Sequence, residues 1–146
     1  MKNLLTSLLL LLLVATVTTV QAQGDIFGRW TTIDDATGEV KSVVDIYKKE
    51  GKAFGKIVKI FREEGEDPDP VCTECSGKRK GQKIIGMEII TGLEYDNKNN
   101  EWEDGDILDP ENGKEYDCKI WVEEGKLKVR GYWAFFYRTQ TWLKEQ

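Results

Sequence analysis

The stretch from Gly105 to Lys144 reads GDILDPENGKEYDCKIWVEEGKLKVRGYWAFFYRTQTWLK. Apolar and polar residues alternate from Glu115 to Val122, and the alternation resumes at Leu127 after a Glu-Gly pair. Period-two patterning broken by Asn-Gly and Glu-Gly predicts consecutive antiparallel strands joined by tight turns. One face of this meander is apolar and must be covered, so we expect the rest of the chain to close it into a barrel or a sandwich.

The segments before this meander carry further strand signals. We predict strands over residues 27–33, 40–47, 53–61 and 84–93, and a short strand over residues 101–103. Gly55 inside the third strand predicts a bulge or a bend. The polar stretch from Arg62 to Gln82 is a long loop, and loops of that length are usually functional or flexible. The predicted fold class is all-β: one antiparallel meander of about eight or nine strands.

The first residues have the pattern of a targeting segment. A short basic start precedes the leucine-rich run Leu4 to Val17, and small or apolar residues follow up to Ala22. This pattern predicts a secretory signal peptide over residues 1–22, cleaved after Ala22. The apolar run is shorter than the roughly 20 residues of a membrane-spanning helix. We therefore expect residues 23–146 to form one domain without a membrane span, exported to the periplasm or secreted.

Composition excludes several classes of function. The chain of 146 residues has 26 acidic and 21 basic side chains, no histidine, and a net charge of −5. The acidic balance argues against nucleic acid and against adsorption to anionic lipid. Without histidine, Ser-His-Asp triads, Cys-His dyads and ordinary zinc hydrolase sites are impossible. We expect a non-enzymatic, monomeric protein without a cofactor, although carboxylate, lysine, tyrosine or cysteine chemistry stays open.

Seven short motifs occur in order along the chain: Gly28-Arg29-Trp30, Ile46-Tyr47, Gly55 to Val58, Gly105 to Pro110, Gly113 to Tyr116, Leu127 to Tyr132 and Arg138 to Trp142. In their order and spacing they resemble the small exported bacterial proteins grouped as domain of unknown function 2147. The resemblance implies a lipocalin-like (calycin) barrel and implies no activity. Members of that family often carry cysteines where this chain has Lys49 and Phe54, so the family's disulfide arrangement does not carry over.

The pair Cys72 and Cys75 is the sharpest local feature. In an exported protein it favours a structural disulfide, worth about 2 kcal/mol for so small a loop. A redox pair, half of a metal site, or a bond to Cys118 are the alternatives, but no helix follows the motif to activate a thiol. Cys118 lies on the apolar face of its strand and is expected to be a buried thiol. The acidic runs at 63–67 and 104–109 fit no calcium-loop spacing, so we predict no metal site.

The aromatic residues offer the remaining functional signal. Most are expected in the core, but some could line a cavity for an apolar ligand, as barrels of about eight strands allow. The candidate ligand-binding residues are Trp102, Trp121, Tyr132 and Trp133. The predicted function is binding of a small apolar or amphipathic molecule. The alternative is an envelope interaction module with a filled barrel, using the loop from Arg62 to Gln82 and the aromatics around Phe135 to contact another protein.

A last group is structural. Gly28-Arg29-Trp30 is similar to the Gly-x-Trp signature on the first strand of lipocalin-like barrels, where a cationic side chain from near the last strand lies across the tryptophan. We therefore expect Trp30 at the closed end of the barrel, with the guanidinium of Arg138 on its indole face. Gly28 would let the backbone pass close beneath the ring.

Overall fold

The structure is a computed structural model that describes residues 25–146; the predicted signal peptide lies outside the described residues. Eight antiparallel strands follow one another around a closed barrel, and the last strand pairs with the first. The strands are β1 (Gly28–Ile33), β2 (Val40–Lys49), β3 (Lys52–Ile60), β4 (Glu88–Asp96), β5 (Glu101–Asp109), β6 (Lys114–Glu123), β7 (Lys126–Trp133) and β8 (Phe136–Lys144). The predicted all-β meander barrel is confirmed, with eight strands.

Two predicted boundaries were wrong. The fourth strand begins at Glu88 rather than at Ile84, because Ile84 donates its amide to Pro70 of the loop and Gly86 turns the chain with φ of 90°. The short strand expected over residues 101–103 continues to Asp109 as β5. It is bent at Asp104, whose φ is 60°, and the register against β6 shifts between residues 102 and 105.

Strand register defines which side chains point into the barrel. Directly paired residues share a face, so the fully buried Trp30, Val44 and Ile57 form one inward-facing row. Gly55 lies opposite Ile46, and a Cβ there would come within 2.8 Å of the Ile46 side chain. The register of β3 shifts on both sides of Gly55, which confirms the predicted irregularity. The barrel core is therefore dense where these rows meet.

The two ends of the barrel differ. We call the end with the β2–β3, β4–β5 and β6–β7 turns, together with Gly28 and Lys144, the closed end. Phe27 packs edge-on against Trp102 there, with ring centroids 5.3 Å apart, and buried Ile26 accepts a 2.7 Å hydrogen bond from the Trp30 indole. We call the opposite end, with the β1–β2, β5–β6 and β7–β8 turns and the long loop, the mouth.

The long loop between β3 and β4 is a second layer on the outside of the barrel. Cys72 and Cys75 are joined by a disulfide and both are buried. The Cys72 amide and carbonyl bond back to residues 82 and 81, and Cys72 Sγ lies 3.3 Å from the carbonyl oxygen of Pro110. Gly113 sits against the same loop, where a Cβ would come 2.1 Å from the Glu74 carbonyl oxygen. The loop is thus seated on the β5–β6 turn.

Candidate functional site

Inward-facing residues near the mouth are open to solvent, whereas those deeper in the barrel are sealed. Deep positions such as Val44, Ile90 and Leu127 are completely buried. Further toward the mouth, residues on the same inner face become partly exposed. We call this group the cup: Ser42, Ile107, Tyr116, Gly131 and Gln140 are partly exposed, and Thr32, which is paired with Ser42, is the buried member. Water therefore reaches the inside of the barrel at this end.

The polar groups of the cup have partners. The hydroxyls of Thr32 and Ser42 lie 2.7 Å apart and bond to each other. The indole of Trp142, which is buried in the core, donates a 3.1 Å hydrogen bond to Gln140 Oε1. Across residues 25–146, no buried side-chain nitrogen or oxygen lacks a hydrogen bond. The cup thus presents a satisfied polar side beside the apolar surfaces of Ile107 and Tyr116.

A polar link crosses the mouth from the β1–β2 loop to β8. Arg138 pairs with the Asp35 carboxylate, and Gln140 Nε2 donates to the same oxygen at 3.4 Å. The loop is shaped by Asp34, which accepts the amides of Ala36 and Thr37 at 2.8 and 2.9 Å. These backbone bonds, that from Thr37 first, lower the pKa of Asp34 below its ordinary value. The loop therefore presents Asp35 to Arg138 in a fixed turn.

The β7–β8 hairpin forms the aromatic part of the rim. Trp133 pairs with Phe136. Each lies two residues from the inward-facing pair of Gly131 and Arg138, so both are on the inner side of the hairpin. Phe135 stands at the apex of the turn and Tyr137 lies on the outer face beside Tyr132, with ring centroids 6.0 Å apart. The rim above the cup is therefore aromatic on this side.

The four candidate ligand-binding aromatics are not brought together. Trp102 fills the closed end, and Trp121 lies on the outer wall between Lys119 and Arg130, whose charged groups are 5.2 and 5.0 Å from its ring centroid. Tyr132 is also on the outer wall, opposite outward-facing Asp117. Trp133 alone adjoins the cup. None of the six cup residues was predicted as a ligand-binding residue. Their inward position in the strand alternation, close to a turn at the mouth, was the available signal.

The prediction that Arg138 packs on the Trp30 indole was wrong. Lys144 Nζ lies 4.4 Å from the centroid of the Trp30 ring and donates to the Phe27 carbonyl oxygen at 3.0 Å. The register explains this, since Trp30 pairs with Lys144, whereas Arg138 pairs with Gly131 near the mouth. Six residues of extended strand separate the two cations by about 20 Å. Gly28 has a φ of 106° and lies against the Lys144 ammonium, which a Cβ would approach to 3.0 Å.

The cysteines are arranged as predicted. Cys72 and Cys75 form the disulfide, and Cys118 is a free buried thiol on the inner face. Burial, and to a lesser degree the charge of Asp106, raises the pKa of Cys118 to about 12. A thiol with that pKa is not ionised near neutrality and is not a nucleophile there. Within the described part of the chain, no group of three or more acidic or cysteine side chains is placed to hold a metal ion.

Two depressions lie on the outer surface. One, of about 460 Å³, lies between the disulfide loop and β5–β6, and includes Arg79, Leu108 and Glu115. The other, of about 630 Å³, surrounds the bend at Asp104 and is lined by four acidic side chains, among other residues. Both have predominantly polar walls, which suits neither for an apolar molecule. Over residues 25–146, none of the helical structure is long and apolar enough to cross a bilayer.

An eight-stranded antiparallel meander barrel, plugged at one end and open at the other, is a lipocalin-like architecture. A solved structure described as "Protein HP1028 from the human pathogen Helicobacter pylori belongs to the lipocalin family" matches this fold. Its TM-score is 0.70 at 16% sequence identity, over 84% of each chain. Residues 28–144 match the family described as "Uncharacterized protein conserved in bacteria (DUF2147)", and the chain belongs to that family. No curated protein matches the sequence.

Proposed function

We propose that this protein is an exported, non-enzymatic carrier that binds a small amphipathic molecule in the cup. The observation that carries the proposal is the change in burial along the inner wall, from sealed at Val44 and Leu127 to solvent-accessible at Ser42, Gly131 and Gln140. The interior of an eight-stranded barrel is either filled by side chains or holds one small ligand, as in lipocalins, and the partly exposed inner wall favours the second.

The cup offers two chemically different walls. Ile107 and Tyr116, with Trp133 and Phe136 above them, supply apolar and aromatic contact area. The amide of Gln140 and the paired hydroxyls of Thr32 and Ser42 supply hydrogen-bonding groups on the β8–β1–β2 side. Because Arg138 is already paired with Asp35, the polar end of the ligand should be a neutral or zwitterionic group. A molecule with an apolar body and such a polar end fits both walls.

Gly131 is the position at which the cup can be filled deliberately. A Cβ there would meet Tyr116 at 3.5 Å and Ile107 at 3.7 Å, which is ordinary contact, and its backbone needs no positive φ. A Cβ is therefore accommodated at this position, and the rest of a larger side chain would take up space beside Tyr116 and Ile107. Substitution at this position separates occupation of the cup from unfolding of the barrel.

The test is a fluorescence titration with the uncharged probe N-phenyl-1-naphthylamine, which has an apolar body and a neutral polar group. We expect saturable binding, weakened at least tenfold in Gly131→Leu, because the leucine occupies the space of the ligand. The matched control is Lys126→Leu, which adds the same side chain to an exposed outward position of β7 and should bind as the unmodified protein does. Equal affinity in all three proteins would refute binding in the cup. Native mass spectrometry of protein purified from its host would then identify the natural ligand.

Export is supported by the amino-terminal sequence pattern. Amino-terminal sequencing of the protein from its host should begin at Gln23, and an intact Met1 would refute cleavage.

The non-enzymatic assignment is supported by the lack of histidine and by the un-ionised thiol of Cys118. A broad hydrolase screen checks it, since activity that depends on Asp106 or Asp109 would replace the carrier by a carboxylate enzyme.

A second candidate is an envelope interaction module that uses the long loop. It is favoured by the way the buried disulfide fixes this loop against the outer wall, with Lys78 and Lys80 left exposed at its surface. A fixed, charged surface suits recognition of another protein. Pull-down from envelope extract with the unmodified protein and with Lys78→Glu tests it, and capture of the same proteins by both would count against this loop.

A further inference from the structure

The β7–β8 hairpin ends in an exposed aromatic cluster. We call residues Trp133 to Tyr137 the aromatic tip. The exposed fractions are 66% for Trp133, 98% for Phe135, 70% for Phe136 and 63% for Tyr137. Single exposed apolar residues are ordinary, but four adjacent aromatic residues that avoid their own core are not. An exposed aromatic cluster of this kind indicates a surface that is covered by a binding partner or by lipid.

The shape of the tip limits what can cover it. Trp133 and Phe136 are paired across a two-residue turn, in which Ala134 has a φ of 51°. Alternation directs Trp133 and Phe136 to the inner side and Tyr137 to the outer side, while Phe135 stands at the apex. The apolar surface is thus convex and continues around both faces of the hairpin. A groove or flat sheet on another protein would contact one face, whereas a fluid apolar medium surrounds both.

We propose that the aromatic tip inserts into the interfacial layer of a lipid bilayer and holds the mouth of the barrel against it. Tryptophan and tyrosine favour this layer because their rings are amphipathic, and phenylalanine supplies apolar area below it. The aromatic tip shares Trp133 and Phe136 with the apolar wall above the cup. Flotation is measured without any ligand, so its failure is distinct from a failure of probe binding in the cup.

Charge placement agrees with a shallow insertion. Arg138 is three residues beyond Phe135, so its backbone lies about 10 Å from the apex along an extended strand. Peripheral elements bury their apolar side about 5–10 Å deep. The Arg138 guanidinium is largely exposed but paired with Asp35, so at the level of the lipid phosphates it adds no unpaired charge when the tip is inserted. On the outer face, the Arg130 guanidinium lies 4.4 Å from the Tyr137 ring centroid, so a second arginine is at the base of the tip.

The rest of the molecule specifies the type of lipid. The chain carries a net charge of −5, and acidic residues flank the hairpin at Glu103, Asp104, Asp106 and Asp117. An anionic membrane would repel this surface. Binding should therefore be strongest on zwitterionic phosphatidylcholine, and anionic lipid should not strengthen it.

Flotation of the mature protein with phosphatidylcholine vesicles tests the proposal. We expect the protein to float, and Phe135→Ser combined with Phe136→Ser to reduce the bound fraction about tenfold or more, because two exposed apolar rings are lost. Both rings lie outside the core, so the fold should survive. The matched control is Tyr95→Ser, which removes a 50% exposed aromatic ring from β4 near the closed end and should float as the unmodified protein does. No flotation, or equal flotation of all three proteins, would overturn the proposal.

A site-specific label reports the direction of insertion. Because Cys118 is buried and the other cysteines are bonded, Phe135→Cys supplies one reactive thiol for an environment-sensitive dye. Its emission should shift to the blue on adding vesicles, whereas the dye on Lys98→Cys, at the closed end, should not respond. A response at both sites means non-specific adsorption, and a vesicle-independent shift at position 135 that depends on protein concentration means self-association. Either outcome refutes the proposal.

Discussion

The contact between Lys144 and Trp30 can be tested by a double-mutant cycle. Lys144→Met keeps most of the side-chain stem but removes the charge over the indole and the bond to the Phe27 carbonyl. A cation–π contact of a surface lysine is worth about 0.5–1 kcal/mol, and a solvent-exposed hydrogen bond about 0.5–1.5 kcal/mol. Lys144→Met should therefore lower the free energy of unfolding by roughly 1–2.5 kcal/mol.

Only the first of these contributions depends on the indole. In Trp30→Leu the ring is absent, so Lys144→Met should cost about 0.5–1 kcal/mol less than in the unmodified protein. Trp30→Leu alone should cost about 2–5 kcal/mol, because Trp30 is buried and its indole bonds to Ile26. Urea unfolding followed by far-ultraviolet circular dichroism measures all four proteins without relying on tryptophan emission.

The matched control replaces the mouth cation instead. Arg138→Gln removes the pair with Asp35, at the opposite end of β8, and should show no coupling to Trp30→Leu. Coupling of Trp30 to Arg138, or its absence with Lys144, would refute the assignment of Lys144 as the cation on the indole.

Three further changes follow from local geometry. Gly113→Ala forces a Cβ to within 2.1 Å of a loop carbonyl and should lower stability by several kcal/mol in urea unfolding; Gly125→Ala, with the same positive φ but open space, should cost about 1–2 kcal/mol. A thiol reagent at pH 8 should leave the native protein unmodified and label one site, Cys118, after unfolding. Burial first, and then a hydrogen bond to a carboxylate, raise the pKa of Tyr47 to about 12, so the unfolded state ionises first above pH 10. Stability should therefore be intact below pH 10 and fall between pH 10 and 12, and Tyr47→Phe should flatten part of that fall.

Each of these has a clear contrary result. Equal costs for Gly113→Ala and Gly125→Ala would mean that the disulfide loop does not press on the β5–β6 turn. Labelling of three thiols without reduction would show that the disulfide is absent. An unchanged alkaline slope in Tyr47→Phe would show that the tyrosine is not bonded in the folded state.

The barrel could be predicted from sequence because alternation is a property of the chain itself. Tyr116, Cys118, Ile120 and Val122 were expected on one face, and all four point inward. Gly55 was expected to mark an irregularity because a side chain there would collide with the opposite strand. Such local signals determine the strands and their faces.

The site could not be predicted in the same way, because it depends on register. Arg138 and Lys144 lie on the same face of β8, and only the pairing of β8 with β1 decides which one reaches Trp30. Trp121 and Trp133 are both strand tryptophans, yet one lies on the outer wall and the other at the rim. Gly131 and Gln140 face inward but are partly exposed because they lie near the mouth. The distance of a residue from the mouth cannot be read from the local sequence pattern.

The pairing of β1 with β8 also has a kinetic consequence. Every other pair of neighbouring strands is adjacent in sequence, so seven hairpin-like steps can form from local contacts. The β1–β8 pairing joins residues more than a hundred positions apart through two registered pairs, Trp30 with Lys144 and Thr31 with Leu143. Ring closure should therefore be the last step of folding, and the same junction should be the first to open, at the end of the barrel away from the mouth.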